Sequence, residues 1–377
     1  MSNLHILHCH STFSLGGKEA RAVRLMNAFG GAARHTVLSA VPDALDARDA
    51  IDPEIIVDFP SRAPSLEGKP ALARYRTLAG YMQRFDLILT YNWGSMDAVM
   101  TRRMFPKDLP PLIHHEDGFN ADETETLKTK RNLFRRLGLP AAHALVVPSQ
   151  RLEAIALGVW KQPKERVHRI ANGIDVKAYR SKPTVSITGL RKKPGEVVIG
   201  TLAGLRGVKN LPKLVRAAAS IANSRLVIVG AGPEREAICA EAARVGYADR
   251  LVMPGFMNGP HRYIGHFDIF ALSSDSEQFP ISLVEAMAAG LPVISTNVGD
   301  VTNIVSKENA SFVVDAKDEM AFRAALVRLA GDANLRAALG VTNGAKAKAQ
   351  YDEAAMIAAY KELYENAVNW PGALGES

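Results

Sequence analysis

Short apolar runs alternate with segments of helical periodicity along almost the whole chain. In the first half, runs at 4–9, 35–40, 86–91, 111–115, 144–148 and 166–170 read as strands, and 18–29, 94–104, 122–137 and 150–157 as helices. Strands separated by helix-length segments point to a parallel sheet covered on both faces. The alternation lapses over 176–193, where Lys182-Pro183 and Lys192-Lys193-Pro194-Gly195 interrupt any apolar period. That stretch is expected to hold a linker. A second alternation follows, with strands at 196–201, 225–230, 250–253, 268–272, 292–296 and 311–314, and helices near 211–222, 234–245, 281–289, 319–330 and 335–348. A last helix, 353–367, has no strand after it. The pattern predicts an α/β protein of two doubly wound domains. Neither an internal repeat nor a low-complexity tract is visible.

Length and composition agree with that picture and narrow the function only slightly. A chain of 377 residues is long enough for two domains. Hydrophobic residues at 47% and charged residues at 23% exclude a disordered, fibrous or disulfide-scaffold protein. The net charge of +7 permits contact with phosphates, anionic lipid or nucleic acid and selects none of them. Cys9 and Cys239 are far apart in sequence, so a structural disulfide is not expected and a reducing compartment fits. The N-terminal segment lacks the basic start and long apolar run of a signal peptide. No stretch reaches the roughly 18–20 apolar residues that a membrane span needs. The protein is expected to be cytoplasmic, with peripheral contact to the inner face of the cytoplasmic membrane left open.

In open α/β sheets ligands bind beyond the carboxyl ends of the strands, which directs attention to the strand-to-helix loops. The loop containing Gly16-Gly17-Lys18-Glu19 follows the first strand and either brings backbone close to an anion or makes a tight turn. Val229-Gly230-Ala231-Gly232-Pro233 lacks the third glycine of a dinucleotide fingerprint, so it is poor evidence for NAD. Leu202-Ala203-Gly204-Leu205-Arg206-Gly207-Val208-Lys209-Asn210 places two cations in a glycine-containing turn before a helix, which suits a diphosphate or is a solvated basic turn. After the strand at 268–272 comes an acidic loop with Glu277, then a helix with Glu285 among Leu283, Val284, Ala286 and Met287. A carboxylate in apolar company requires a partner, because burying an unpaired charge is costly. The alternative is an exposed position on an amphipathic helix.

Glu277 and Glu285, separated by seven residues and followed by Ala286-Met287-Ala288-Ala289-Gly290-Leu291-Pro292-Val293, resemble the E-x7-E signature of retaining GT-B glycosyltransferases, specifically glycosyltransferase family four. Gly16-Gly17-x-Glu19, Asn172-Gly173-Ile174-Asp175, Lys209-Asn210, Val229-Gly230-x-Gly232-Pro233 and Val298-Gly299-Asp300 match further loops of that family in order. The resemblance implies a GT-B fold of two Rossmann-like domains facing across a cleft. It places an N-terminal acceptor domain at 1–180, a linker at 181–195, a nucleotide-sugar domain at 196–350 and a returning helix at 351–377. It also implies roles. Glu285 would hold the donor ribose and Glu277 the donor sugar. Arg206 and Lys209, the backbone at Phe279, Ile281 and Ser282, and Gly16 and Gly17 would serve the diphosphate. No metal or other cofactor is required. Two departures stand out: the usual Gly-Arg-Leu reads Ala203-Gly204-Leu205, and Gly-Phe-Gly reads Gln278-Phe279-Pro280, whose proline removes one N–H donor.

On the acceptor side, Ile113-His114-His115-Glu116-Asp117-Gly118 closes one strand and Asn92-Trp93 another. His115, Glu116 and Asp117 are the catalytic candidates beside Glu277, with the register among His114, His115, Glu116 and Asp117 open. Such groups position or deprotonate a hydroxyl, or merely cap the next helix. The basic stretch 127–137 reads as an interfacial helix for anionic lipid or as a solvated face over a core stripe. Nucleic acid is not expected as a partner, for want of an aromatic-rich basic platform, and the scattered histidines lack metal-site spacing. The expected activity is transfer of a hexosyl unit from a UDP- or GDP-sugar to a saccharide or lipid-linked saccharide in bacterial surface polysaccharide biosynthesis. The rivals are a nucleotide-sugar 2-epimerase-like GT-B enzyme and a non-catalytic two-domain sugar-binding protein.

Overall fold

A computed structural model describes residues 3–14, 16–119, 123 and 127–375. Contacts divide the chain into two compact units, Met1–Asn172 with Ala355–Ser377, and Gly173–Ala354.

Among the described residues the first unit is built on seven parallel strands: β1 (Leu4–His10), β2 (Ala33–Ser39), β3 (Val57–Asp58), β4 (Leu87–Tyr91), β5 (Leu112–His115), β6 (Ala144–Val147) and β7 (Val167–Arg169). Their order is β3-β2-β1-β4-β5-β6-β7, so the chain builds outward from β1 in one direction and then returns to add β4 on its other side. Helices α1 (Gly17–Phe29), α2 (Leu72–Met82), α3 (Met96–Met104), α4 (Thr129–Gly138) and α5 (Gln150–Gly158) cover the sheet. The period-2 alternation of the strands sorts the core into two faces. Leu7, Cys9, Ile88 and Leu112 pack towards α2, α3 and α5, while Leu4, Ile6, Leu87, Leu89 and Ile113 point to the opposite face, which α1 covers.

The second unit begins with the single-turn helix α6 (Val176–Tyr179). Its six described strands are β8 (Val197–Leu202), β9 (Ser224–Val229), β10 (Leu251–Gly255), β11 (Ile269–Leu272), β12 (Val293–Thr296) and β13 (Val313–Val314). They are parallel in the order β10-β9-β8-β11-β12-β13, with the reversal of direction between β8 and β11. Helices α7 (Leu211–Ala219), α8 (Arg235–Arg244), α9 (Ile281–Ala288), α10 (Val301–Ile304), α11 (Glu319–Gly331) and α12 (Ala333–Gln350) complete it. The final helix, α13 (Glu353–Val368), buries Met356, Tyr360, Leu363 and Tyr364 with Leu25 and Phe29 of α1 in the first unit's core. Each such side chain contributes about 1.5–3 kcal/mol on burial, which holds a helix that has no following strand to anchor it.

The elements differ from the periodicity at a few places. β3 is too short for a pattern to show, and α2 hides its buried Tyr75, Leu78, Ala79 and Met82 among arginines and glycine. The expected helix at 122–137 is observed from Thr129; its expected start at 122 lies outside the described residues. Residues 181–195, expected as a linker, make their contacts inside the second unit. Thr184 and Val185 N–H both donate to Arg262 O (2.8 and 3.0 Å), Lys192 pairs with Asp268 (2.7 Å), and Ile187 is buried. Prolines and lysines there break the period without releasing the segment.

Candidate active site

Strand order determines which loops can meet. In the second unit the reversal between β8 and β11 puts the loop after β8 beside the loop after β11, at the carboxyl edge of the sheet. Lys209 ends a 3-10 turn, Gly207–Lys209, and Asn210 follows in the left-handed conformation (φ 44°), which asparagine tolerates. From this turn Lys209 Nζ reaches Glu277 Oε1 at 2.5 Å, and Ser274 Oγ donates to the same oxygen at 2.7 Å. The two loops are also tied by Asp275 N–H to Val208 O (2.8 Å), Ser273 Oγ to Lys209 O (2.9 Å) and Asn210 Nδ2 to the Asp275 carboxylate (3.0 Å). Lys209 and Glu277 keep 16% and 12% of their side-chain surface exposed, so a bound anion can reach the pair. Arg206 is exposed and forms no ion pair among the described residues.

The helix that follows Glu277 opens towards the same edge. Pro280 is the N-cap of α9, no side chain caps it, and no acidic residue lies in its first turn. Its first N–H groups, at Ile281 and Ser282, have no intrahelical partner, and the helix dipole makes this end electropositive. Phe279 is fixed edge-to-face against Tyr351 (centroids 5.9 Å apart). Within α9, Glu285 Oε1 accepts a 2.7 Å bond from Tyr179 Oη on α6, the partner that its apolar surroundings demand. The Tyr263 hydroxyl is pushed well above the ordinary tyrosine range by burial and then by the Glu285 carboxylate.

Glycines explain several of the loop motifs by packing. At Gly299 (φ +57°) a Cβ would stand 2.5 Å from Glu277 O and 2.8 Å from Gln278 O, so the loop after β12 braces the acidic loop from behind. At Gly230 and Gly232 a Cβ would strike Ala203 O and Leu205 O of the cationic loop, while Leu205 N–H donates to Ala231 O (2.9 Å). The Gly-x-Gly after β9 thus buttresses the Lys209 turn. Gly173 approaches the backbone of Asp352 and Glu353, and Asp175 caps α6 through Ala178 N–H (3.1 Å).

The first unit gathers its polar groups at the carboxyl ends of β1, β4 and β5. Arg21 of α1 grips Asp117 through both terminal nitrogens (Nη2 to Oδ2, 2.8 Å), donates to Asn172 Oδ1 (3.0 Å) and lies over Tyr360. Burial alone would raise the Asp117 pKa, but the Arg21 charge and hydrogen bonds outweigh it and hold the carboxyl below its ordinary range. Its side chain remains 12% exposed. Glu116 points the other way. It is fully buried and paired with fully buried Arg135 (3.0 Å), whose guanidinium lies against Trp93, Phe119 and Trp160. His114 bonds Thr90 Oγ1 (2.8 Å), and His115 is bound between Thr90 O (3.1 Å) and Tyr364 Oη (2.9 Å). Burial, then the Arg21 charge, lowers the His115 pKa to about 3, which keeps the ring neutral at physiological pH. Of the four candidates at this strand end, only Asp117 therefore keeps a carboxylate within reach of solvent. Gly16 caps α1, but Glu19 folds back to within 2.8 Å of the position of a Cβ on Gly16 and pairs with Lys18, so α1 supplies its own carboxylate at this terminus. Next to this edge a cavity of 550 Å³ is lined by Trp93, Asp97, Lys130, Arg131 and Phe134, with Trp93 and Phe134 edge-to-face at 5.6 Å. Among the described residues no group of His, Cys, Asp or Glu is arranged to hold a metal ion, and no helix is long and apolar enough to cross a membrane.

Two family models match, Glycosyltransferase Family 4 over residues 15–178 and Glycosyl transferases group 1 over residues 186–345, and together they cover most of both units. The chain belongs to glycosyltransferase family 4. Among sequence relatives, this family-4 chain is 25% identical over 223 residues to the lipopolysaccharide core biosynthesis glycosyltransferase LpsD of Rhizobium meliloti, covering 59% of the chain and 63% of LpsD. It is 24% identical over 210 residues to the N-acetyl-alpha-D-glucosaminyl L-malate synthase of Bacillus anthracis, covering 54% of each. The chain thus spans between half and two thirds of the length of these curated relatives. The solved structure of Anabaena HepE in complex with UDP superposes with a TM-score of 0.78 at 19% identity, covering 96% of this chain and all of that one (100%). Sucrose-phosphate synthase from Thermosynechococcus elongatus gives 0.75 at 20% identity, covering 96% and 98%. The fold is GT-B, with two Rossmann-like units.

Several residues of the family-4 chain that complete these sites carry no motif of their own. Tyr179, the partner of Glu285, lies in a stretch without periodicity, 106 residues away. Arg21, the partner of Asp117, looks in sequence like any charged position on a helix. His8 and His10 lie on the strand face that Tyr91 and His115 share, and their even spacing along β1 was the one available signal.

Proposed function

We propose that the protein is a retaining hexosyltransferase that moves a sugar from a nucleotide diphosphate, UDP or GDP, to a saccharide or lipid-linked saccharide in bacterial surface polysaccharide assembly. The Lys209–Glu277 pair, held at the reversal point of the second unit's sheet beside the uncapped N-terminus of α9, carries this reading. As the glycosidic bond breaks, negative charge grows on the departing diphosphate while the anomeric carbon becomes oxocarbenium-like. In this reading Lys209, Arg206 and the first N–H groups of α9 meet that charge, and the α9 groups, fixed in advance by the helix, stabilise it without reorganising. Glu277, released from part of its hold on Lys209, binds hydroxyls of the donor sugar. Glu285, oriented by Tyr179, accepts from the ribose hydroxyls. Metal is not needed in this scheme, because the cations and helix N–H groups do the neutralising.

The 550 Å³ cavity lined by Trp93, the residue two after β4, supplies the acceptor pocket of the proposal. Trp93 and Phe134 offer flat apolar surface to the C–H faces of a sugar ring, and Asp97 and Lys130 offer hydrogen bonds to its hydroxyls. A membrane-surface role for the basic helix belongs to the same proposal, since lipid-linked acceptors lie at that surface; α4 exposes Lys130 and Arg136, while Arg135 is buried against Glu116.

The test is a thermal-shift screen of the purified chain against UDP, GDP, their sugars and NAD, repeated with Lys209→Ala and Glu285→Ala. A ligand that binds only the folded state raises the melting point by mass action. A shift with UDP or GDP, weakened about tenfold or more in either folded variant, is expected from the loss of a charge-assisted contact. A shift with NAD alone, or wild-type nucleotide affinity in both variants, refutes the proposal. Turnover of the donor without any acceptor would place the chain with the epimerase-like enzymes instead.

A further inference from the structure

The amino edge of the first unit's sheet, away from Asp117, carries a second cavity of 470 Å³. Arg102 and Arg103 enter it from the last turn of α3, His143 from the turn before β6, and Arg166 from the turn before β7. Among the described residues none of the three guanidiniums is in an ion pair with a carboxylate. Two are pinned by backbone oxygens instead: Arg102 Nη1 donates to Pro106 O (2.5 Å) and Arg166 Nη1 to Pro140 O (2.6 Å). Carbonyls fix the direction of a guanidinium without cancelling its charge. Arg102 Nε is buried with no hydrogen-bond partner.

The titration of the neighbours agrees with an excess of positive charge. Burial lowers the Arg102 pKa with no carboxylate opposing it. His143 is lowered by burial, then by His168 and Arg166. The dipole at the carboxyl end of α3 accounts for two cations in its last turn. It does not account for Arg166 and His143, which arrive from two other connections and line the same cavity.

We propose that this cavity is an anion site that takes a phosphoryl group, distinct from the donor site of the second unit. A guanidinium presents a planar fork matched to phosphate oxygens, and three of them with an imidazole around one space provide both charge and directed donors. The phosphoryl group can belong to a soluble phosphate or to a lipid headgroup, and the chemistry at the arginines is the same.

Inorganic pyrophosphate is the probe, titrated calorimetrically into the full chain, into Lys209→Ala, into the double variant Arg103→Gln/Arg166→Gln and into that double variant with Lys209→Ala added. Both arginines of the double variant are exposed, so it should melt as the parent does. The expected result is saturable binding to the parent and to Lys209→Ala, and binding to Lys209→Ala that is weakened about tenfold or more when the double substitution is added to it. No saturable binding to Lys209→Ala, or binding to Lys209→Ala that the added double substitution leaves unchanged, overturns the proposal. Sedimentation with phosphatidylglycerol and phosphatidylcholine vesicles then identifies the source. Pelleting with the anionic vesicles alone, abolished by the double variant, assigns a headgroup; pyrophosphate binding without pelleting assigns a soluble phosphate.

Discussion

Five histidines of the first unit lie at 0–2% exposure, and four of them, His8, His10, His35 and His115, share one behaviour. His8 bonds Tyr91 Oη (3.1 Å) and His35 Nδ1 (3.0 Å), His10 stacks on Tyr91 with both ring nitrogens unpartnered, and His115 is closed in by Tyr364. Burial, ahead of repulsion from neighbouring cations, lowers all four pKa values, His35 to about 4 and His115 to about 3. A histidine lowered on folding stabilises the native state fully above its unfolded pKa of 6.5 and loses that contribution as the pH falls towards the folded value. At pH 5 the unfolded chain binds nearly one proton at each site while His35 and His115 in the folded chain bind almost none, which costs about 2 kcal/mol per histidine. These two alone remove about 4 kcal/mol between pH 7 and pH 5, a large fraction of the 5–15 kcal/mol typical of a domain, and His8 and His10 act in the same direction. The three tryptophans, Trp93, Trp160 and Trp370, all lie in the first unit, so their fluorescence in urea titrations reports on it alone. The urea midpoint should fall steeply between pH 7 and pH 5. His10→Phe, which removes a ring whose nitrogens bond nothing, should fold at pH 7 and show a shallower pH dependence, by about one proton at most. Equal midpoints at the two pH values, or an unchanged dependence in His10→Phe, would refute the reasoning.

Gly299→Ala forces a side chain into a left-handed residue and onto Glu277 O, so it should cost about 1–2 kcal/mol from conformation alone, lower the melting point by several degrees and weaken nucleotide binding. Parent-like melting and affinity would show that the loop after β12 does not brace the Glu277 loop. Glu116→Gln breaks a fully buried ion pair and is expected to cost about 3–5 kcal/mol in urea unfolding. Asp117→Asn should act chiefly on kcat, and the reverse assignment of the two phenotypes would restore Glu116 as the reactive carboxylate. Trp93→Ala should raise the acceptor KM while leaving donor affinity unchanged; a weakened donor and unchanged acceptor would remove the cavity from the acceptor pathway.

Much of the architecture was legible because parallel sheets covered on both faces bury continuous apolar strands. β1, β4, β8 and β9 stand out in sequence for that reason. What escaped were elements whose stability comes from outside themselves. β3 has two residues and is held by pairing with β2, and α2 presents its buried stripe between arginines. The segment 181–195 looks like a linker because proline and lysine remove its periodicity, yet backbone bonds to Arg262 and the Lys192–Asp268 pair hold it to the second unit.

For the site, the residues reveal that a partner is needed but not which one. Glu285 in apolar company had to be bonded, and Glu277, Glu116 and Asp117 each required a cation. The partners are 68 residues away for Glu277, 19 for Glu116, 96 for Asp117 and 106 for Glu285. Strand order supplies the missing rule for the two long-range ion pairs. Lys209 meets Glu277 because β8 and β11 are neighbours at the point where the second sheet reverses. Arg21 follows β1 and meets Asp117 beyond β5, one strand past the corresponding reversal between β1 and β4. The glycines belong to the same logic. Gly299, Gly230 and Gly232 sit where one carboxyl-edge loop presses on the next, so a motif that looks like phosphate-binding backbone in sequence acts in the fold as the brace that keeps a lysine and a glutamate 2.5 Å apart.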